Sequence, residues 1–296
     1  MDELAYLSND FLRLTVSPAL GGSITRLDAF VDGKWQSFLR PWDKTNHVLS
    51  TASFPMVPFC NRINQGVFNW QGRLIELAAN HPPEPHAIHG FGWQQKWLVE
   101  HESRNQLIIS HYEDGRRWPF NYFCCQRFSL SRRSIRVEMT ICNYGKQYMP
   151  AGLGFHPYFP LTQDTRLIAP CKGKWLTDND MMLSVRQPAP EELMSAPGLK
   201  LAGTGLDNMF TGFGGHCRII WPGAGLSLAM RTSETCDFLQ LYVPDDQDFF
   251  CVEPQSIAVD GFNRYQSGMS DAGVTVLAPG KSLSIWMELF PGTLAG

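Results

Sequence analysis

The sequence predicts an all-β fold, an antiparallel sandwich of many short strands, and three observations support this prediction. Polar and apolar residues alternate with period two in short runs such as residues 11–16 and 135–142. Turn signals such as Asp32-Gly33 and Gln71-Gly72 separate these runs at close spacing. Helical periodicity is scarce, while 26 glycines and 20 prolines punctuate the chain.

Taken in order, the alternating runs predict strands separated by turns, and the chain begins as a β-meander. The predicted strands are residues 11–16, 23–30, 35–39, 67–70, 73–77, 106–112, 121–130, 135–142, 217–221, 226–231, 238–243, 250–253 and 283–290. The best helical candidate is the short segment 191–194, which follows a proline. Neither a linker nor a fixed-period repeat divides the chain, so we expect one domain over residues 1–296 rather than a propeller.

The composition is that of an ordinary globular chain, with 44% hydrophobic and 18% charged residues and a formal net charge of -3. This charge argues against a nucleic-acid surface, which is normally basic. The acidic N-terminus has no export signal, and no apolar run is long enough for a membrane span. The eight cysteines form no CxxC pair and most lie in apolar runs. We therefore expect a cytoplasmic protein without nucleic-acid or membrane partners.

Two titratable residues, His156 and Glu253, are each followed directly by a proline. Proline biases the preceding residue towards extended backbone and cannot donate a ladder hydrogen bond, which predicts a strand end, an edge or a bulge for both. Glu253 ends an apolar run, so burial is expected to raise its pKa, as suits a general base. For His156 a histidine bonded to a backbone carbonyl in a packed loop is an equally good interpretation.

Three further polar residues stand out from the strand pattern. Arg62 lies among apolar residues beside a turn, which suits either a hydrogen-bonding fork for a polar ligand or a buried ion pair. His89 precedes Gly90, which lets a ligand or another backbone come close. Asp207 lies between apolar neighbours, where an Asx-turn is the alternative to a ligand contact.

Histidines 81, 86 and 89 lie close together in sequence and invite a metal interpretation. Their spacing matches neither a helical HExxH motif nor a known zinc pattern. We expect no metal at these residues.

Five short motifs occur in an ordered series over about residues 10 to 290. They are Asn61-Arg62-Ile63, Ile88-His89-Gly90, Phe155-His156-Pro157, Leu206-Asp207 and Val252-Glu253-Pro254-Gln255. The series resembles the aldose 1-epimerase (galactose mutarotase) family, of which this chain looks like a divergent bacterial-type member. The resemblance implies a single galactose-mutarotase-like domain, an antiparallel β-supersandwich.

The resemblance also implies an activity, the interconversion of α and β anomers of a free aldose by ring opening and reclosure. Glu253 would be the base at the C1 hydroxyl and His156 the acid at the ring oxygen. His89 would form a hydrogen bond near the ring oxygen or C1. The substrate-binding candidates are Arg62, Asp207, Trp93 and Gln255. The resemblance implies a small-molecule sugar as partner and no metal or organic cofactor. We expect a monomer or a homodimer.

Three alternatives remain open at this stage. After His89 the chain lacks the arginine that receives phosphate in the hexose-6-phosphate 1-epimerase branch, although Arg40, Arg62 or Lys96 could replace it. A second alternative is a non-catalytic carbohydrate-binding protein on the same fold. The third is a metal site formed by two histidines, 89 and 156, and the carboxylate of Glu253, as in non-haem iron oxygenases.

Overall fold

A computed structural model describes residues 4–294; residues 1–3 and 295–296 of the predicted domain lie outside this range. The strands of the first half are β1 Ala5–Ser8, β2 Leu12–Ser17, β3 Ser23–Val31, β4 Lys34–Ser37, β5 Ser53–Met56, β6 Arg62–Ile63, β7 Val67–Trp70, β8 Arg73–Glu76, β9 Ala87–Ile88, β10 Leu98–Glu102, β11 Gln106–Asp114, β12 Asn121–Leu130 and β13 Ile135–Asn143. Those of the second half are β14 Met149–Ala151, β15 Gly154–Pro160, β16 Arg166–Ile168, β17 Gly173–Thr177, β18 Leu183–Pro188, β19 Leu199–Lys200, β20 Asp207–Thr211, β21 His216–Trp221, β22 Leu226–Thr232, β23 Phe238–Tyr242, β24 Phe249–Gln255, β25 Thr275–Leu277 and β26 Ser282–Thr293.

Two large antiparallel sheets contain most of these strands. The 11-stranded sheet has the order β1-β2-β3-β5-β15-β24-β23-β20-β17-β18, with β4 paired to β3. The 9-stranded sheet has the order β10-β11-β12-β13-β26-β22-β21-β16-β19. Three two-stranded ribbons, β14-β25, β6-β9 and β7-β8, complete the arrangement. The predicted antiparallel, nearly all-β architecture is therefore confirmed.

Helical structure is minor in the described residues. The segment predicted as helical at 191–194 is a single 3₁₀ turn, Glu191–Leu193. An α-helix, α1, that the sequence analysis missed spans Gly261–Gln266. It is too short to show a periodic apolar face, which explains the miss. None of the helices within residues 4–294 has the length and apolar character needed to cross a membrane.

The burial pattern distinguishes two kinds of strand. In β13 every second residue is buried, so one face contacts the core and the other faces outward. In β5, β15 and β24, nearly every residue is buried. One face of these central strands packs in the common core and the other lies beneath loop segments. Their near-continuous burial explains why alternation did not predict β5 and β15.

The prediction that His156 and Glu253 lie at strand ends, edges or bulges is wrong. Strand β15 lies between β5 and β24 in the interior of the larger sheet. Residues on either side of the prolines pair in one register, Gly154 with Gln255 and Tyr158 with Cys251, so no residue is inserted. Between these pairs the ladder is interrupted, and Pro157 lies in the interrupted stretch. The missing N–H is tolerated there because the two strands do not pair at that point.

The loop after β9 reaches the larger sheet through a tight backbone contact. His89 and Gly90 both adopt positive φ, 58° and 69°. The carbonyl of Val57 accepts hydrogen bonds from the N–H groups of Phe91 and Gly92, at 2.9 and 3.1 Å. A β carbon on Gly90 would overlap this carbonyl. Glycine is required here for both conformation and space, and it fixes the backbone that carries His89.

We predict that Gly90→Ala destabilises the protein more than Gly72→Ala. Gly72 also has positive φ, 81°, but open space surrounds the position where a β carbon would be. Gly72→Ala should therefore cost only the left-handed strain, roughly 1 to 2 kcal/mol. Gly90→Ala adds steric overlap with backbone and should cost about 3 to 5 kcal/mol. Urea unfolding measures both free energies, and equal losses would contradict the steric argument.

Candidate active site

Four adjacent strands place a row of side chains on the loop-covered face of the larger sheet. His156 pairs with Phe54 of β5, and Gln240 of β23 pairs with Glu253. The register of β15 and β24 sets His156 directly opposite Glu253. Because side chains alternate between faces, residues opposite each other in adjacent strands share a face. Phe54, His156, Glu253 and Gln240 therefore form one row, in which the last three make a continuous floor and Phe54 packs against His156.

A cleft of about 580 Å³ opens above this floor. Its remaining lining comes from loop segments and from strand residues beside the row. The polar and aromatic side chains among these are Asn61, Arg62, His81, Glu84, His89, Trp93, Tyr158, Asp207, Tyr242 and Phe249. A concave site with a few convergent polar groups is the usual form of a small-molecule site.

The acid–base pair lies at the bottom of the cleft. The Nε2 atom of His156 is 3.3 Å from Oε1 of Glu253, and both side chains are buried. Burial raises the pKa of Glu253 well above its usual range, and the negative charge of Asp207 raises it further. Burial lowers the pKa of His156 to about 3, and the positive charge of Arg40 acts in the same direction. Both groups are therefore pushed towards their uncharged forms.

Stacked rings hold the imidazole of His156. The ring stacks on Phe54 with centroids 4.4 Å apart, and the Tyr158 ring lies 4.7 Å away. The guanidinium of Arg40 lies 3.8 Å from the centre of the Tyr158 ring, in cation–π contact. The Nδ1 atom of His156 is buried without a hydrogen-bond partner. The orientation of this ring therefore depends on packing rather than on a second hydrogen bond.

His89 has a defined tautomer when it is neutral. Its Nδ1 atom accepts a hydrogen bond from the backbone N–H of Asn61 at 3.2 Å. The proton of the neutral ring must then lie on Nε2, which makes Nε2 a donor. Burial lowers the pKa of His89 well below its usual value, and the nearby His156 contributes. The two imidazole rings meet edge to face with centroids 5.1 Å apart.

A chain of hydrogen bonds connects the polar residues of the cleft. Arg62 Nε donates to Glu84 Oε2 at 3.0 Å, and Arg62 Nη1 donates to Asn61 Oδ1 at 3.3 Å. Asn61 Nδ2 donates to Gln240 Oε1 at 3.3 Å, and Gln240 Nε2 donates to Asp207 Oδ1 at 2.6 Å. The sequence analysis left open whether Arg62 binds a ligand or forms an ion pair. In the structure it forms an ion pair with Glu84 and also lines the cleft.

The structure brings six of the seven predicted site residues to the cleft: Arg62, His89, Trp93, His156, Asp207 and Glu253. The seventh, Gln255, is fully buried and does not line it. Its Nε2 atom donates to Glu253 Oε2 at 3.1 Å, so it orients the carboxyl group. The Asx-turn alternative for Asp207 does not apply, because the residue begins strand β20.

Sequence reasoning did not single out Gln240, Glu84 or Tyr242 as site residues. Gln240 had one usable signal, since it is the one strongly polar residue in the apolar run Phe238–Tyr242. Glu84 lies in a proline-rich loop, and the arginine that it pairs with, Arg62, is 22 positions away in sequence. No local pattern could have paired them.

Of the three histidines 81, 86 and 89, His86 has hydrogen-bonding neighbours at both ring nitrogens. The Nδ1 atom of His86 accepts a hydrogen bond from the N–H of Gln65 at 2.9 Å. Its Nε2 atom is 3.0 Å from the carbonyl oxygen of Asp180. Both ring nitrogens of His86 are therefore engaged with backbone groups and are not free to bind a metal.

A different trio within the described residues has metal-like spacing. Ligand atoms of His156, Cys251 and Glu253 all lie within 4.8 Å of one another. This differs from the trio considered as an alternative in the sequence analysis, which had His89 in place of the cysteine. Burial raises the pKa of the Cys251 thiol well above its usual value. A protonated thiol is a weak ligand, so the trio is a poor metal site until the proton is removed.

Known proteins are similar to this chain in sequence and in structure over nearly its whole length. YphB, an uncharacterized protein of Escherichia coli K12, is 31% identical over 295 residues, covering 96% of this chain and 97% of YphB. The crystal structure of a putative aldose 1-epimerase from the same organism superposes with a TM-score of 0.89 at 31% identity, covering 99% of each chain. A galactose mutarotase-like protein from Clostridium acetobutylicum is 16% identical with a TM-score of 0.85, covering 98% of this chain and 95% of its own, which shows the fold alone.

These similarities confirm the predicted galactose-mutarotase-like fold. The family described as Aldose 1-epimerase matches residues 5–289, which include every motif quoted above. Its members act on sugars as isomerases. On this match and on the shared fold, the chain belongs to the aldose 1-epimerase family.

Proposed function

We propose that this protein is an aldose 1-epimerase that interconverts the α and β anomers of a free, uncharged aldose. The observation that carries the proposal is the contact of 3.3 Å between His156 Nε2 and Glu253 Oε1 on the floor of a polar cleft. Mutarotation needs one proton to leave the C1 hydroxyl and one to reach the ring oxygen. A base and an acid at this spacing suit two oxygens bound to the same carbon.

Ring opening uses the pair with one proton in total. In the favoured uncharged form this proton lies on Glu253, and its transfer across the 3.3 Å contact to His156 gives the reactive form, a Glu253 carboxylate beside a protonated imidazole. The Glu253 carboxylate removes the proton of the C1 hydroxyl, and the electrons of that O–H bond form the C1 carbonyl. The bond between C1 and the ring oxygen breaks, and His156 donates its proton to that oxygen. Glu253 now holds the proton and His156 is neutral, so the pair has the same total charge as before.

Reclosure gives the other anomer after rotation about the C1–C2 bond. The former ring oxygen, now a hydroxyl, attacks the opposite face of the carbonyl and returns its proton to His156. Glu253 gives its proton to the carbonyl oxygen, which restores the C1 hydroxyl. The residues thus end the cycle in their starting states.

The remaining cleft residues support binding and charge stabilisation. The Nε2 proton of neutral His89 can donate to the C1 oxygen or the ring oxygen, where negative charge develops during proton transfer. The donors of Arg62 and the acceptors of Asp207 and Gln240 match the hydroxyl groups of a sugar. Trp93, whose Nε1 already donates to the carbonyl of Gly90 at 3.0 Å, offers its ring to an apolar sugar face.

The charge of the cleft favours a sugar without phosphate over the hexose-6-phosphate alternative. Of the three cationic residues suggested for phosphate, only Arg62 lines the cleft, and it is paired with Glu84. Arg40 donates to the carbonyl oxygens of Leu49 and Thr51, and Lys96 lies exposed outside the cleft.

We predict that Glu253→Gln lowers kcat for anomer exchange by roughly 10² to 10⁴ while sugar binding persists, because the amide keeps the shape but cannot accept the proton. Polarimetry of freshly dissolved α-glucose and α-galactose measures exchange, and calorimetry measures binding. Glu192→Gln, at an exposed position, is the matched control and should retain wild-type activity.

Three results of that experiment would count against the proposal. Near-wild-type exchange by Glu253→Gln would contradict the assigned base. Wild-type activity that EDTA abolishes and a metal restores would favour the trio His156, Cys251 and Glu253 as a metal site. Binding without exchange by the wild-type protein would indicate a non-catalytic carbohydrate-binding protein.

The same substitution is predicted to stabilise the fold in a pH-dependent way. The ordinary pKa of a glutamate is 4.5, and burial raises that of Glu253, so the folded chain holds a proton that the unfolded chain loses above this pH. The contribution of Glu253 to the free energy of unfolding therefore falls as pH rises, by about 1.4 kcal/mol per pH unit until the folded pKa is reached. Glu253→Gln has no such titrating group. The excess of its free energy of unfolding over that of the wild type, measured in urea, should be absent near pH 4.5 and grow towards pH 7.5. A pH-independent difference would contradict the assignment.

We further predict that Asp207→Asn moves the alkaline limb of the kcat/KM profile to lower pH. The limb reports loss of the single proton held by the His156–Glu253 pair. The charge of Asp207 raises the pKa of Glu253, so removing it lets that proton leave more easily. The control is Asp246→Asn, at an exposed position, which should leave the limb in place. An unchanged or raised limb in Asp207→Asn would contradict the electrostatic coupling.

A further inference from the structure

The charges that line the cleft are unevenly distributed. Arg62 is the one arginine or lysine among the lining residues of the described chain, 4–294. Three carboxyl groups, those of Glu84, Asp207 and Glu253, line the same space. If the Glu253–His156 pair holds one proton it is neutral overall. Arg62, Glu84 and Asp207 then leave the cleft with one net negative charge.

Glu84 neutralises the positive charge of Arg62, whereas nearby Arg40 does not line the cleft and donates to the backbone carbonyls of Leu49 and Thr51. The Oε2 atom of Glu84 is 3.0 Å from Arg62 Nε, and both side chains are 16% exposed. Partial burial reduces solvent screening, so this pair is stronger than one on the open surface. The charges of Arg62 and Glu84 also act on Asp207 in opposite directions, which places all three within electrostatic range of each other. A ligand therefore meets Arg62 as a hydrogen-bond donor whose charge is largely neutralised.

We infer that Glu84 is a specificity-determining residue that restricts the site to uncharged aldoses. The excluded class comprises aldoses that carry a phosphate, sulfonate or carboxylate group. This inference rests on the proposed function for its substrate class. It adds a residue and a physical mechanism: Glu84 neutralises Arg62, so Arg62 no longer offsets the repulsion between Asp207 and an anionic substituent.

The expected size of the effect follows from the distance dependence of charge interactions. Removing one unit charge at roughly 8 Å, with an effective dielectric constant of about 20, corresponds to a ~30-fold change in binding. Screening by salt and by water in the open cleft reduces this figure. We therefore expect Glu84→Gln to change the preference for an anionic sugar by about tenfold or more.

The experiment compares Glu84→Gln with the wild-type protein on two sugar pairs, glucose with glucose 6-phosphate and galactose with galactose 6-phosphate. Calorimetry measures the Kd of each sugar, and magnetisation-exchange NMR measures anomer exchange. The wild-type protein should prefer the neutral sugar of each pair. Glu84→Gln keeps an amide oxygen for Arg62 Nε but carries no charge, and it should improve the relative Kd of the 6-phosphate by about tenfold or more. This gain should shrink at high salt.

Two control variants separate charge from shape. Glu84→Asp keeps the negative charge and should retain the wild-type preference even if its contact with Arg62 is longer. Glu192→Gln removes one negative charge at an exposed position outside the cleft and should also retain it. Thermal unfolding of each variant verifies that the fold is intact.

Each result decides between the inference and the proposed function. A preference in Glu84→Gln within twofold of wild type overturns the inference, while anomer exchange on the neutral sugar leaves the function standing. A shift in Kd preference without any anomer exchange supports the role of Glu84 and overturns the enzymatic function. Absence of both binding and exchange in the wild-type protein overturns both.

Discussion

The contact between the His156 imidazole and the Glu253 carboxyl is the interaction on which the rest of the site depends. Two titratable groups lie opposite each other inside a sheet, where burial disfavours the charged form of both. The pair therefore favours an arrangement in which a single proton leaves it uncharged. Moving that proton from one partner to the other changes no total charge. Such a pair is suited to a reaction in which one oxygen loses a proton and another oxygen, bound to the same carbon, gains one.

The protein holds the two partners by different means. The Glu253 carboxyl accepts a hydrogen bond from Gln255, whereas the His156 ring packs against Phe54 and Tyr158 and has no partner at Nδ1. A carboxylate at Nδ1 would raise the pKa of the imidazole, while stacked rings fix its orientation without adding charge. Arg40, packed against Tyr158, adds a positive charge that opposes protonation. The packing around His156 thus fixes the orientation of the imidazole and keeps its pKa low.

The same features explain where sequence-based prediction succeeded and failed. Strands with one exposed face, such as β13, alternate and were predicted within one residue at either end. Strand β15 is buried on both faces and contains two prolines, so the sequence predicted a strand end, an edge or a bulge there instead of a central strand. The rule that proline avoids central strands failed because the ladder with β24 is interrupted at Pro157. Gln240 and Glu84 were not predicted as site residues because their partners in the cleft are distant in sequence. Gln240 bonds to Asn61 and Asp207, and Glu84 to Arg62, at separations of 22 to 179 positions.

The sequence by itself determined the antiparallel β class, the extended backbone of His156 and Glu253, and the identity of six cleft residues, because these follow from local periodicity, proline chemistry and an ordered motif series. Tertiary structure alone decided that β15 and β24 are neighbours in register, which brings the acid and the base to 3.3 Å. It also decided the pKa shifts and the Arg62–Glu84 pair. Burial and ion pairing depend on contacts between residues distant in the chain, and no local pattern records which distant residues meet.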